Sequence, residues 1–171
     1  ALIKFRNGTN QLLLATDLAS RGIDIPEIKF ILHYHLPLKD KEFTHRNGRT
    51  ARMNQDGISY ILNWKEDKLP DFINDLDPEV INIDNENISK LDSNLSWNTL
   101  YISGGRRDKI SKGDIVGLFI KQGGIKKEQL GVIEIKQNCS YASVDSSMTE
   151  QIIDKTNNTR LKKKKVRITV I

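Results

Sequence analysis

From Trp97 to Ile171, short apolar runs alternate with amphipathic stretches in an order that few folds accept. Thr99–Ile102 (TLYI) reads as a strand, Gly104-Gly105-Arg106-Arg107-Asp108 as a polar turn, and Ser111–Gln122 as an amphipathic helix stopped by Gly123-Gly124. Leu130–Gln137 and Ser140–Val144 read as two further strands, Met148–Lys155 as a second helix and Lys165–Ile171 as a last strand. The order βαββαβ predicts a split-βαβ unit, an α+β layer in which two helices back a four-stranded sheet. Ser111-x-x-Asp114 fits a capping box at the start of the first helix. Alternation turns Leu100 and Ile102 toward the helices and Tyr101 toward the open face. It also sets Cys139, Tyr141 and Ser143 on one face of their strand.

The first half has another rhythm. Gln11–Asp17 (QLLLATD), Lys29–Leu36 (KFILHYHL, ended by Pro37) and Ile58–Asn63 (ISYILN, after the Asp56-Gly57 turn) read as strands. Lys41–Met53 reads as a helix and Ala1–Arg6 as the last turn of one. Strands alternating with helices predict an α/β layer around a parallel sheet. Asp77–Ser96, rich in Asp, Asn and Ser, reads as a linker with room for one short strand or helical turn. The expected organisation is a first domain over 1–76, a linker over 77–96 and a second domain over 97–171. Half a sheet leaves apolar surface uncovered, so residues 1–80 are expected to be the less stable part.

Charge divides at the same place. Residues 1–95 carry 12 Lys+Arg against 15 Asp+Glu, and residues 96–171 carry 15 against 7, so the net +5 combines −3 with +8. A basic block of that size is the footprint of a nucleic-acid-binding module. The single cysteine, Cys139, excludes an internal disulfide and a multi-cysteine zinc site and reads as a packing residue. His33 and His35 share a strand face without metal spacing and read as structural. The longest unbroken apolar stretch, Ile115–Ile120, is far short of the ~20 residues of a membrane span. No basic-then-apolar leader opens the sequence, so a cytoplasmic location with no membrane partner is expected. Ala1 in place of Met reads as the point where a longer chain was cut.

Two segments of the first half carry chemistry. In Ala15–Pro26 (ATDLASRGIDIP) a strand ends at Thr16-Asp17 and the chain leaves the sheet at its carboxyl edge, where open α/β folds bind ligands. Gly22 permits close backbone approach, Arg21 brings charge, and Asp24 offers a carboxylate to a hydroxyl pair such as that of a ribose. Further on, His45-Arg46-Asn47-Gly48-Arg49-Thr50-Ala51-Arg52 repeats arginine at every third position, which on a helix gathers three guanidiniums on one side. Clustered guanidiniums suit a transferring phosphoryl group.

In this order and spacing the two segments resemble the fifth and sixth conserved motifs of DEAD-box ATP-dependent RNA helicases, which lie in the second RecA-like domain. His45, Arg46, Gly48, Arg49 and Arg52 match the usual H-R-x-G-R-x-G-R form, with Ala51 where Gly is usual. The resemblance covers roughly residues 1–76 and implies a partial RecA-like parallel-sheet domain. In it Asp24, beside Gly22, would contact the ATP ribose, and Arg49 and Arg52 would be arginine fingers. His45 and Arg46 would couple the nucleotide site to the interdomain cleft, and Thr16, Asp17, Ser20 and Arg21 would lie near the RNA backbone. It further implies ATP and Mg as cofactors of a full-length parent, and a missing N-terminal RecA-like domain as partner. Neither G-x-x-x-x-G-K-[ST] nor an Asp-Glu-Ala-Asp run occurs in the 171 residues, so this chain alone is expected neither to bind ATP tightly nor to hydrolyse it.

Trp97–Ile171, which includes LYISGGRRDKISKGDIVGLFIKQGGIKKEQLG, resembles the DbpA-type RNA-binding domain of bacterial DEAD-box proteins. That domain is a divergent, RNA-recognition-motif-like fold, and its family binds a hairpin of large-subunit ribosomal RNA during ribosome assembly. Tyr101 and Tyr141 are the stacking candidates, worth ~1–3 kcal/mol for each stacked base. Only Tyr141 meets an aromatic place of the usual strand signature, so charge is expected to carry more of the affinity. The cationic candidates are Arg106, Arg107 and Lys109 in the first loop, Lys112 at the helix start, and Lys126 and Lys127 after the glycine turn. In that first loop the glycines are expected to bring backbone amides to phosphates while the arginines fork onto them. Lys162–Lys165 reads as a solvated hairpin edge. The whole reads as the C-terminal portion of an RNA helicase that binds a ribosomal RNA hairpin and unwinds a nearby duplex. The alternative is a stand-alone RNA-binding or RNA-chaperone protein with a non-catalytic RecA remnant.

Overall fold

The computed structural model describes residues 1–16, 28–50, 57–64, 67–82 and 96–171. Its regular elements, in chain order, are α1 (Leu2–Arg6), β1 (Phe30–His33), α2 (Asp40–Asn47), β2 (Ile58–Ile61), α3 (Asp71–Asn74), β3 (Trp97–Ile102), α4 (Lys112–Gly117), β4 (Leu130–Ile135), β5 (Ser140–Asp145), α5 (Thr149–Thr156), β6 (Arg160–Leu161), β7 (Lys164–Lys165) and β8 (Ile168–Val170). The chain forms two compact units, one made of Ala1–Leu13 with Leu91–Ile171, the other of Leu14–Lys90.

In the first of these units, four antiparallel strands lie in the order β4-β5-β3-β8, the topology that a βαββαβ succession generates. Pairing of Leu100 with Ala142 and of Ile102 with Ser140 puts alternate residues on the helix side. There Leu100, Ile102, Ile115, Phe119, Val144, Ile152 and Ile168 form one core. Phe119 is fully buried, a contribution of roughly 2–3 kcal/mol. Helix α4 starts at the predicted capping box: Ser111 Oγ accepts the Asp114 N–H at 3.3 Å, and the Asp114 carboxylate accepts the Ser111 N–H at 2.9 Å. The helix then widens into a π turn over Leu118–Gln122, closed by the Gly123 N–H on the Leu118 carbonyl. Gly124, at φ +74°, turns the chain out of it.

The last predicted strand arrives in two pieces. Lys164–Lys165 folds back on Arg160–Leu161 as a small hairpin, turning at Lys162 in the left-handed region (φ 56°), and only Ile168–Val170 joins β3. Val166 divides them because its fully buried side chain and its hydrogen bonds with Asn158 and Thr159 tie it to the loop after α5.

Helix α1 falls where a helix end was expected. Beyond it, Asn7 Nδ2 donates to Thr99 Oγ1 (3.3 Å), the Thr9 and Thr99 hydroxyls lie 2.7 Å apart, and Ser143 Oγ donates to the Asn7 carbonyl (2.8 Å). Thr99 and Ser143 project from the open face of the sheet and are buried by this cover. Contacts therefore group Ala1–Leu13 with Leu91–Ile171, where the sequence reading drew a first domain over 1–76. Thr99 of β3 and Ser143 of β5 take their side-chain partners from that segment.

In Leu14–Lys90, β1 and β2 pair in parallel, from Phe30 with Ile58 to His33 with Ile61. This is the expected strand direction, in strands shorter than Lys29–Leu36 and Ile58–Asn63. His33 is buried, with Nε2 2.8 Å from Asn47 Oδ1 and its ring 4.7 Å from that of Phe43, so it is a structural histidine as read. His35 lies beyond the strand and is exposed.

Other expectations are corrected. Residues 11–16 form no strand, and Leu12 and Leu14 are 71% and 91% exposed. An apolar run becomes a strand only where a neighbour offers ladder partners, and none does among the described residues. Helix α2 stops at Asn47 rather than Met53, because Gly48 caps it and Thr50 moves against Ile28, its hydroxyl on the Ile28 carbonyl at 2.5 Å. Helix α3, unforeseen, buries Ile73 and sets Phe72 5.9 Å from Phe43. The outward residues Phe30, Leu32, Ile58 and Tyr60 leave an apolar sheet face open, where parallel sheets are normally covered on both sides. Residues 77–82 carry no regular structure, and the rest of the expected linker through Leu95 lies outside the described residues.

Candidate nucleic-acid interface

Strand register defines two ends of the four-stranded sheet. Ile102, Ser140 and Ile135 mark one end, Trp97, Asp145 and Leu130 the other, about 17 Å away at ~3.3 Å per residue. The loop after β3 leaves from the first end and is tied to the β4–β5 turn. The Arg106 N–H donates to the Lys136 carbonyl (2.9 Å), the Arg107 N–H to the Gln137 carbonyl (3.0 Å) and the Gly105 N–H to Asp108 Oδ2 (3.0 Å).

This corrects the expected role of the glycines. The Gly105, Arg106 and Arg107 amides are already engaged within the protein. Gly105 serves instead to let the loop touch the turn: a Cβ there would lie 2.4 Å from the Lys136 carbonyl oxygen and 2.7 Å from Cys139 N. What the loop presents to solvent is side chains. Arg106, Arg107 and Lys109 are exposed, and neither guanidinium meets a side-chain partner among the described residues. Lys112, exposed in the first turn of α4, lies at the same end.

Two aspartates shape the electrostatics here. The Gly105 N–H and then Lys164 hold the Asp108 carboxyl below the usual range. The Asp114 carboxyl is lowered to about 2, chiefly by the Ser111 hydroxyl at 2.6 Å, then by the Ser111 amide and Lys162. A folded-state value below the unfolded 3.8 means that Asp114 stabilises the fold above pH ~4, and that this contribution is lost as pH falls toward 2. Ser111→Ala should raise the Asp114 midpoint, read by NMR titration, and cost ~1 kcal/mol of stability at neutral pH. An unmoved midpoint would contradict this role for the cap.

On the open face, the rings of Tyr101 and Tyr141 stand 5.8 Å apart at 64°, edge to face, so a base can lie flat on one ring and not on both. The Cys139 thiol, 3.7 Å from Tyr141 Oη, and burial hold that phenol above its ordinary range. Cys139 and Tyr141 thus share a face as read. Sequence reasoning missed Glu134, which pairs in register with Tyr141 and is held by Lys136 (2.6 Å) and Arg6 (3.3 Å). Its neighbour across the sheet, not its local pattern, gives it that place. Lys126 and Lys127 sit just before β4, at the opposite end of the sheet from Arg106 and Arg107, so the structure does not gather all six predicted cations.

For the first-half motifs, Asp17, Ser20, Arg21, Gly22, Asp24 and Arg52 lie outside the described residues. Thr16 and His45 are exposed. Arg46 Nη1 donates to the His35 carbonyl at 2.8 Å, and Arg49 stands half-buried past the end of α2, so the two arginines do not share one helix as expected. Of the residues assigned to the nucleotide site, His45, Arg46 and Arg49 are among the described residues. No group of three or more His, Cys, Asp or Glu gathers for a metal ion among them, and no helix is long and apolar enough to cross a membrane.

The model of the DbpA RNA binding domain matches residues 99–170, and that of the helicase conserved C-terminal domain matches residues 1–54. The chain is 30% identical over 190 residues to ATP-dependent RNA helicase DbpA of Bacillus subtilis (strain 168), an alignment covering 96% of this chain and 40% of that protein. Against ATP-dependent RNA helicase DbpA of Escherichia coli (strain K12) it is 26% identical over 175 residues, 99% of this chain and 38% of the relative. ATP-dependent rRNA helicase RRP3 of Gibberella zeae is 50% identical over 62 residues, 36% of this chain and 13% of the relative. The chain thus spans about two fifths of the length of the two DbpA proteins.

A helicase C-terminal match followed by a DbpA RNA binding domain, on a parallel-sheet unit and a split-βαβ unit, points to the class of DEAD-box RNA helicases. Within it these matches support a C-terminal DbpA-like portion.

Proposed function

We propose that this chain binds a structured RNA, a hairpin of large-subunit ribosomal RNA, through the basic end of its DbpA-type domain. In the longer enzyme this holds an ATP- and Mg-dependent helicase core beside a duplex that it unwinds during ribosome assembly in the cytoplasm. The observation that carries the reading is the loop Gly105–Lys109: its backbone is fixed by internal hydrogen bonds while Arg106, Arg107 and Lys109 stay exposed. Rigid presentation reduces the ordering cost of binding, and paired guanidiniums suit phosphate oxygens. Tyr101 and Tyr141 supply a stacking surface for one unpaired base. Asp24 and Gly22 on the ribose, Arg49 and Arg52 as fingers, His45 and Arg46 at the cleft, and Thr16, Asp17, Ser20 and Arg21 on RNA are the roles we assign in the full-length enzyme. The matched sequences support them.

Competition binding tests the RNA reading. A ribosomal hairpin should displace a labelled hairpin from the chain at lower concentration than an unstructured RNA of equal length and composition. Equal displacement would favour RNA chaperoning by a merely basic domain.

A further inference from the structure

The end of the sheet that bears Arg106–Lys109 also bears the β6–β7 hairpin, and two carboxylates join them. Asp108 Oδ2, already accepting the Gly105 N–H, lies 3.0 Å from Lys164 Nζ. Asp114, already accepting the Ser111 N–H and hydroxyl, lies 3.0 Å from Lys162 Nζ. Leu161 and Val166, both buried, anchor the base of the hairpin in the core. The register pairs Leu161 with Lys164 and Arg160 with Lys165, so Lys165 lies on the face opposite buried Leu161, while Lys163 stands in the turn; both are exposed. Each aspartate is neutralised by one lysine, and the remaining surface is cationic: Arg106, Arg107, Lys109, Lys112, Lys163 and Lys165. None of the six has an acidic side-chain partner among the described residues.

We propose that the Lys162–Lys165 hairpin is a second wall of the RNA site, with Lys163 and Lys165 on backbone phosphates and with Asp108 and Asp114 as positioning residues that orient it. The inference rests on the RNA-binding reading above and extends it to a segment that its lysine run alone marks only as a solvated edge. Two roles of the aspartates predict opposite signs. As plain anions near RNA they repel phosphate, and neutralising them tightens binding. As tethers they hold Lys162 and Lys164 in one geometry, and neutralising them frees both side chains and weakens binding despite the added positive charge.

The test is fluorescence anisotropy of the full chain with a labelled ribosomal RNA hairpin over roughly 0.05–0.3 M KCl, a range in which phosphate contacts dominate the salt response. Lys163→Ala/Lys165→Ala should flatten the plot of log K against log salt by about 1.4 and weaken binding about 25-fold near 0.1 M, taking ~0.7 per contact. Asp108→Asn/Asp114→Asn should weaken binding about fivefold, the scale of exposed ion pairs, with the melting curve checked in parallel. If the asparagine variant unfolds, the lysine variant, altered only at exposed positions, decides alone. Unchanged affinity and slope in the lysine variant, or tighter binding by a folded asparagine variant, would overturn the proposal. A parent chain without salt-dependent RNA binding would instead remove the RNA-binding reading itself, before any variant is compared.

Discussion

Gly105→Ala should lower the melting midpoint of the DbpA-type domain by roughly 15 °C, from ~3 kcal/mol of lost stability in a domain of this size. The added Cβ meets backbone on every side: the Lys136 carbonyl at 2.4 Å, the Gln137 carbonyl at 2.7 Å and Cys139 N at 2.7 Å. No rotamer change relieves contacts with backbone, so the loop or the β4–β5 turn must move. Either movement breaks the bonds from the Arg106 and Arg107 amides to that turn, each worth about 1 kcal/mol. The gain from a less flexible unfolded chain, about 0.4–1 kcal/mol, offsets only part of this. Hydrogen exchange at the β3 amides reads the change in this domain; unaltered protection would show that the loop does not depend on a bare Cα there.

Arg106→Ala/Arg107→Ala should leave that protection intact and weaken binding to an RNA hairpin about 25-fold near 0.1 M salt, as two lost phosphate contacts at ~0.7 each require. Both side chains are exposed and neither holds the loop, whose tethers are backbone groups, so the effect on stability should stay within about 0.5 kcal/mol. The salt plot should flatten with the loss. Weaker binding at an unchanged slope would mean that the arginines act on bases, and would remove them from the phosphate backbone.

The pattern Ser111-x-x-Asp114 announced its helix start because a capping box is local, closed within four residues. The βαββαβ order was equally legible, since Leu100 and Ile102 of β3 and Ala142 and Val144 of β5 put apolar side chains on the core at alternate positions. Gly104-Gly105 misled for the opposite reason: the sequence marks a place where something approaches the backbone but not what approaches, and here it is the 136–139 turn. Glu134 beside the tyrosines and the cover of Asn7 and Thr9 on Thr99 depend on partners far away in sequence.

The first half shows the same limit. Parallel pairing of β1 and β2 followed from alternating elements, whereas Gln11–Asp17 looked like a strand from composition and found no ladder among the described residues. Arginines three apart suggested one helical face, yet Gly48 ended the helix between them. Propensity placed the elements; neighbours decided which of them persisted.

We propose that the basic end of the DbpA-type domain binds a structured RNA. Affinity of the chain for a large-subunit ribosomal RNA hairpin and for its unstructured counterpart, measured across a salt titration, tests it most directly. Four to six phosphate contacts at ~0.7 each predict a slope of roughly −3 to −4 for the hairpin, with the hairpin bound more tightly at every salt concentration. Equal affinity for the two RNAs, or a slope near zero, would contradict it.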